Sequence, residues 1–241
     1  MIKDKDKFEI AFLLKKKGAN KSQIARDYGV SRGSVTTFGK MFDSDYKDNA
    51  HIRHQMLLGS KLGDGYFQKT ANGIYKYRET HSVKEVEYAT WKYLMLGEHS
   101  DGVEICNKNN GSAVELYTNA RASSFVEHYY NLTTEDTIKN IEIEGLLVWL
   151  LDDGWYSDHS SKGDFNICST ILTPEQKGGL QAKFSQYGIG TSLIGKRQDI
   201  SISSQDNYVL LAHLEKMMFT LDLDIVNKKF GNIIKQLTAI V

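Results

Sequence analysis

Apolar side chains recur along this chain at helical spacing in some stretches and at alternate positions in others, and the two periods follow one another in an ordered way. Near the start, KFEIAFLLKKKG reads as an apolar helix ending near Gly18. KSQIARDYG then turns Ile24 and Ala25 inward, with Gly29 permitting a tight turn. In VSRGSVTTFGKMF, Val30, Val35 and Phe38 bury one face of a third helix that Ser31 caps.

Beyond residue 50 one order of elements occurs twice: helix, strand, strand, helix, strand, strand, helix. In the first copy LLGSKLGDG ends an apolar helix, and alternation in IYKYRETHS sets Ile74, Lys76 and Arg78 against Tyr75 and Tyr77. VKEVEYATWKYLMLG is the next helix, with Val83, Val86, Tyr88, Ala89, Trp91, Tyr93 and Leu94 as its buried face. Strands GVEICNKN and SAVELYT and the helix ASSFVEHYYN follow. In the second copy GLLVWLLDDG leads to strands around WYS and DFNICST. The helix LTPEQKGGLQAKFSQYG opens on a capping box in which Thr173, Pro174 and Gln176 take the cap, first and third positions. Strands TSLIGK and DISIS and the helix DNYVLLAHLEKMM complete the copy. Gly65 to His81 and Ser82 matches Gly154 to Ser169 and Thr170 within a residue. The expectation is an α+β fold of two pseudo-symmetric αββαββα repeats behind a small helical head. The corresponding domains are 1–45, 50–135 and 140–241, arranged as a monomer with an internal pseudo-twofold axis.

Both repeats open on an apolar helix whose last turn places an Asp before a Gly. Glycine is the usual left-handed helix stop, but a carboxylate is misplaced there, because a helix C-terminus carries partial negative charge. Gly59 and Gly63 leave a flat strip on the first of these helices, opposite Val148 and Asp152 on the second. Parallel packing along that strip brings Asp64 and Asp153 to one end, where they repel unless a cation lies between them. Mg²⁺, held by one or two carboxylates with phosphate oxygens and water, suits the pair.

Charge sharpens the reading of the head. The net charge of the 241 residues is zero, which argues against a general polyanion binder, yet residues 1–41 hold ten basic side chains against four acidic ones. The head resembles the helix-turn-helix of bacterial and phage DNA-binding proteins. It would present Arg32, Ser34, Thr36, Thr37 and Lys40 to a major groove. Two cysteines, Cys106 and Cys168, lack metal-ligand spacing and read as reduced side chains. No apolar run is long enough to span a membrane and no secretory signal opens the chain, so a soluble cytoplasmic protein is expected.

LLGSKLGDG (57–65) and LLVWLLDDG (146–154), each with its trailing strands and helices in order, resemble the motifs of the LAGLIDADG homing endonucleases in their single-chain, two-motif form. That resemblance, covering residue 50 to the C-terminus, implies a divalent-metal nuclease that cleaves both strands of a double-stranded DNA site, with Asp64 and Asp153 as catalytic metal ligands. It implies a saddle of antiparallel strands on the DNA, where we place Lys69, Lys76, Arg78, Lys108, Lys162, Lys196 and Arg197. It also implies a lysine late in each half: Lys229 falls where the second belongs, whereas the first half has threonines there and only Lys139 nearby. Unequal activity on the two strands is one consequence. Two alternatives remain at this stage: a transcription regulator on the same scaffold, which loses the motif acids, and an RNA splicing maturase that uses the saddle on structured RNA. His81, Trp91, Trp149 and Trp155 read as core or strand-end residues.

Overall fold

The computed structural model describes residues 10, 14, 20–37, 50–108, 111–157, 163–207, 209–210 and 213–214. Most of the first head helix, Phe38, Lys40, Lys162 and Lys229 lie outside these residues, as does the side chain of Lys108.

In the head, helix α1 (Lys21–Asp27) begins at Asn20, whose side chain accepts from the amides of Ser22 and Gln23. Gly29 takes φ +61°, a conformation that side chains with a Cβ resist. Residues 32–37 are helical, and the Ser31 hydroxyl accepts from the Ser34 amide at 2.9 Å. Ile10, Ile24, Ala25 and Val35 form a small buried cluster of their own.

The first half of the body runs α2 (Ala50–Leu62), β1 (Tyr66–Lys69), β2 (Tyr75–Ser82), α3 (Val86–Leu96), β3 (Ser100–Lys108), β4 (Gly111–Thr118) and α4 (Ser123–Asn131). A helix not foreseen above, α5 (Thr134–Asn140), links the halves behind a capping box of Thr133 and Asp136. The second half runs α6 (Ile143–Asp153), β5 (Gly154–Ser157), β6 (Asp164–Ile167), α7 (Pro174–Gln186), β7 (Thr191–Ile194) and β8 (Asp199–Ile202). Residues 207, 209–210 and 213–214 are helical beyond it. Each half forms one antiparallel four-stranded sheet, ordered β1-β2-β4-β3 and β5-β6-β8-β7, which is the same path traced twice. The Thr173, Pro174 and Gln176 capping box of α7 forms as expected.

Helices α2 and α6 make the seam. They run parallel, because Gln55 meets Gly145, Gly59 meets Val148 and Gly63 meets Asp152 in step along both. A Cβ on Gly59 would lie 2.3 Å from the Gly145 carbonyl oxygen, and one on Gly63 would lie 2.6 Å from the Asp152 Cβ, so glycine alone allows the approach. Helix α6 is buried on all sides, from Ile143 through Asp152 apart from the half-covered Glu144, and one continuous apolar core joins both halves around the helix pair.

The glycines after the two acids work differently from the expected left-handed stop. Gly154 is extended at φ −85° and ψ 156°, and neither Gly63 nor Gly65 has positive φ. Their role is steric: a Cβ on Gly65 would sit 2.6 Å from the Ser60 carbonyl oxygen, and one on Gly154 would sit 2.2 Å from that of Leu150. Among the described residues no helix is long and apolar enough to cross a membrane.

Candidate active site

Where α2 ends, the amides of Gly63 and Gly65 both donate back to the Ser60 carbonyl, at 3.1 and 2.7 Å, and Asp64 lies between them with its side chain 38% exposed. Facing it on β2, His81 Nδ1 is 3.6 Å from Asp64 Oδ2. The β2 strand alternates strictly, with Tyr75, Tyr77, Glu79 and His81 inward and Lys76, Arg78, Thr80 and Ser82 outward. The alternation therefore drives a carboxylate and an imidazole into the interior beneath Asp64.

Two further helices supply their partners. Lys92 of α3 is fully buried, and its three N–H donors go to Ser60 Oγ (2.9 Å), Glu79 Oε1 (2.9 Å) and the Asp152 carboxylate (2.7 and 2.9 Å). Tyr88, one turn earlier, donates its hydroxyl to Asp152 Oδ1 at 2.7 Å. Glu79 also accepts from the Tyr77 hydroxyl and pairs with His81 Nε2 at 2.9 Å. Asp152 comes from the second half, so a closed polar network crosses the seam within the apolar core.

Charge in this network is uneven. Burial works against the Lys92 ammonium, but Asp152 and Glu79 outweigh it and hold its pKa above the ordinary lysine value. Burial likewise pushes the Glu79 carboxyl up, but Lys92 and then His81 bring it well below the carboxylate range. For Asp64 the balance goes the other way, because burial and Asp152 raise its pKa by more than His81 and Lys92 lower it. Burial, followed by the Asp152 charge, raises its pKa from 3.8 to about 6. Ligand atoms of Asp64, His81 and Asp152 lie within 4.8 Å of one another. Since Lys92 and Tyr88 already occupy Asp152, the ligand atoms left for a cation are those of Asp64, which is partly exposed, and of His81, buried beneath it. A partly solvated carboxylate with surplus negative charge beside it fits a divalent cation.

The structure brings together Asp64, His81, Glu79, Lys92 and Asp152, whereas the sequence singled out Asp64 and Asp153. Asp153 is half-buried at the last position of α6, adjacent to Asp152, and its carbonyl accepts from the Cys168 amide at 3.2 Å. Lys139 is not brought to Asp64. It lies exposed in the last turn of α5, and its neighbour Asn140 accepts from Gln55 in the other half of α2, roughly 13 Å along the helix axis from Asp64 at about 1.5 Å per residue.

Of the expected nucleic-acid contacts, Lys76 and Arg78 share the outer face of the first sheet, where Arg78 lies 5.7 Å over the ring of Tyr66 across the strands. Lys69 belongs to the other parity: it pairs with Tyr75 and stands over that ring at 5.0 Å. The far side of the outer face is acidic, with Glu104 opposite Glu115. Lys196 and Arg197 are exposed on the β7–β8 turn, which the buried Lys177 fastens by donating to the carbonyls of Arg197 (3.0 Å) and Gln198 (2.9 Å). In the head, Arg32 and Thr37 are exposed and Ser34 and Thr36 half-buried; Thr36 donates to the Arg32 carbonyl and the Ser34 hydroxyl meets that of Ser31.

No family model matches the chain. Two curated relatives are both named Protein RecA. That of Mycolicibacterium flavescens is 25% identical over 114 residues, 44% of this chain and 26% of its own length. That of Mycobacterium shimoidei is 23% identical over 191 residues, 68% of this chain and 45% of its own length. The chain thus spans about a quarter of one and less than half of the other. Among solved structures, the homing endonuclease I-WcaI bound to its DNA recognition sequence superposes with a TM-score of 0.55 at 18% identity, over 74% of this chain and 91% of that one. Mesophilic variants of the homing endonuclease I-DmoI align with a TM-score of 0.46 at 14% identity, over 68% and 96%. The helix pair at the seam and the two identically ordered sheets place the chain in the LAGLIDADG homing endonuclease fold.

Proposed function

We propose that this chain is a site-specific DNA endonuclease that hydrolyses phosphodiester bonds of double-stranded DNA with a divalent cation, Mg²⁺ in the first instance. The observation that carries the reading is the parallel, glycine-lined helix pair, which ends both motif helices side by side before two like-built sheets, with Asp64 exposed there and only partly balanced by His81 and Lys92. Asp64 and Asp153 would hold the cation. When bound, it polarises the phosphate and lowers the pKa of the water it carries. Lys76, Arg78, Lys196 and Arg197 would hold phosphates and read base edges on either side. The basic head, read as a helix-turn-helix, would extend the contact as part of a monomeric protein. I-WcaI, whose fold this chain shares, is described as bound to its DNA recognition sequence, which supports DNA as the partner.

Incubation with a randomised DNA library, with and without Mg²⁺, followed by sequencing of broken ends, tests the reading. Metal-dependent breaks at a defined site are expected. Asp64→Asn and Asp153→Asn should each abolish double-strand cutting while leaving binding largely intact. Binding to a defined site without breaks would instead make this a regulator. Deleting residues 1–45 should weaken binding and flatten its salt dependence.

A further inference from the structure

Beneath Asp64 lies an imidazole for which the metal reading above has no use. The His81 side chain is 2% exposed, and its two ring nitrogens have different neighbours. Nε2 is paired with the buried Glu79 carboxylate at 2.9 Å, while Nδ1 faces Asp64 Oδ2 at 3.6 Å. Glu79 holds the Nε2 side of the ring, so Nδ1 is the nitrogen aimed at Asp64, and a cation bound there would take the place of its proton. A buried carboxylate on the far nitrogen is the arrangement that orients metal-ligating histidines and raises their basicity. The spacing also fits. Two donors each about 2.0 to 2.2 Å from one ion lie about 3.0 Å apart in octahedral and about 3.4 Å apart in tetrahedral geometry. The observed 3.6 Å is within a few tenths of an ångström of that range. Asp152 completes the surroundings as a charge already held by Lys92 and Tyr88.

We propose that the cation site of the first half is a mixed nitrogen and oxygen site, made by Asp64 and His81, with Glu79 as the positioning residue that fixes the imidazole. This rests on the reading of Asp64 as a cation ligand. Imidazole suits Co²⁺, Ni²⁺ and Zn²⁺, whereas Mg²⁺ prefers oxygen donors throughout. The site should therefore hold Co²⁺ through both residues and Mg²⁺ mainly through Asp64. The open side of Asp64 leaves coordination positions for water and a phosphate oxygen.

Calorimetric titration of the full chain with Co²⁺ and with Mg²⁺, in the absence of DNA, tests the proposal without depending on catalysis. His81→Gln should weaken Co²⁺ by about tenfold or more and Mg²⁺ by less than about twofold, and Glu79→Gln should also weaken Co²⁺ by about tenfold. Asp64→Asn should weaken both metals. A second trio, His51, Glu142 and Glu144, lies at the opposite end of the helix pair, so His51→Ala serves as the control that must leave this Co²⁺ binding in place. If a buried substitution fails to fold, pulsed electron paramagnetic resonance of Cu²⁺ bound to the His51→Ala variant, compared with the same variant carrying Asp64→Asn, gives the answer: imidazole nitrogen coupling that Asp64→Asn removes is expected, and Asp64-dependent Cu²⁺ binding without such coupling would overturn the inference. Asp64-dependent metal binding that ignores His81 would overturn this inference and leave the nuclease reading standing. Metal binding that ignores Asp64 would overturn both.

Discussion

The two halves share a strand order and differ in what fills it. Tyr66 pairs with Arg78 in the first sheet, and its counterpart Trp155 pairs with Asn166 in the second, so Glu79 corresponds to Ile167 and His81 to Ser169. Where the first half buries a carboxylate, the second buries an isoleucine with no exposed surface. Where the first has an imidazole facing a motif acid, the second has a hydroxyl that donates to the Gln198 carbonyl at 3.1 Å. Burial at those positions is common to both halves, but chemistry is not. The fold therefore follows from which positions turn inward, while the kind of group placed there is free to differ as long as each polar group is satisfied. The strands beneath the two motif helices are unequal: β2 supplies Glu79 and His81 to a charged network, whereas the matching positions of the second half hold Ile167 and Ser169.

Three measurements break or sharpen that comparison. The largest effect is expected from Lys92→Met, which leaves Glu79 and Asp152 buried without their cation. Chemical denaturation should show a loss of about 3–5 kcal/mol. A loss below about 1 kcal/mol would mean that the network is no more than apolar filling. Next comes Ile167→Val at the position equivalent to Glu79. An ordinary apolar core should yield only about 0.5–1.5 kcal/mol, measured in the same way. The smallest effect concerns pH. Because the Asp64 pKa is raised from 3.8 to about 6, its contribution to stability is complete below pH 3.8 and lost as pH rises through about 6. In metal-free buffer Asp64→Asn should therefore melt progressively higher than the parent protein between pH 4 and pH 7. The gain should reach about 1 kcal/mol, because a side chain 38% exposed is screened by solvent. A difference that does not change with pH would place the origin of the strain elsewhere.

Much of this was legible in the sequence, and the parts that were not have physical reasons. Gly59 and Gly63 marked the close approach, and Val148 and Asp152 were readable as the residues facing them, because helical spacing alone sets which positions share a stripe. Extending the β2 alternation by four residues would have sent Glu79 and His81 inward and raised the question of their partners. Lys92 was not readable in this way. It lies on the apolar side of α3, and what makes that tolerable is Asp152, a residue of the other half, together with Glu79 from a different element. Long-range pairing of charges leaves no trace in local periodicity. Helix α5 did carry a signature, the Thr133 and Asp136 capping box, but its short span hid it inside a linker.

The meeting of Gly63 with Asp152 bears on why both halves belong to a single polypeptide. Two copies of the first half about a true twofold would set glycine against glycine, and neither would bring a carboxylate to Lys92. Two copies of the second would press carboxylate against carboxylate with no ammonium from α3 to reconcile them. Complementarity at this point is therefore heterologous, and covalent fusion is what allows one partner to become small while the other becomes acidic.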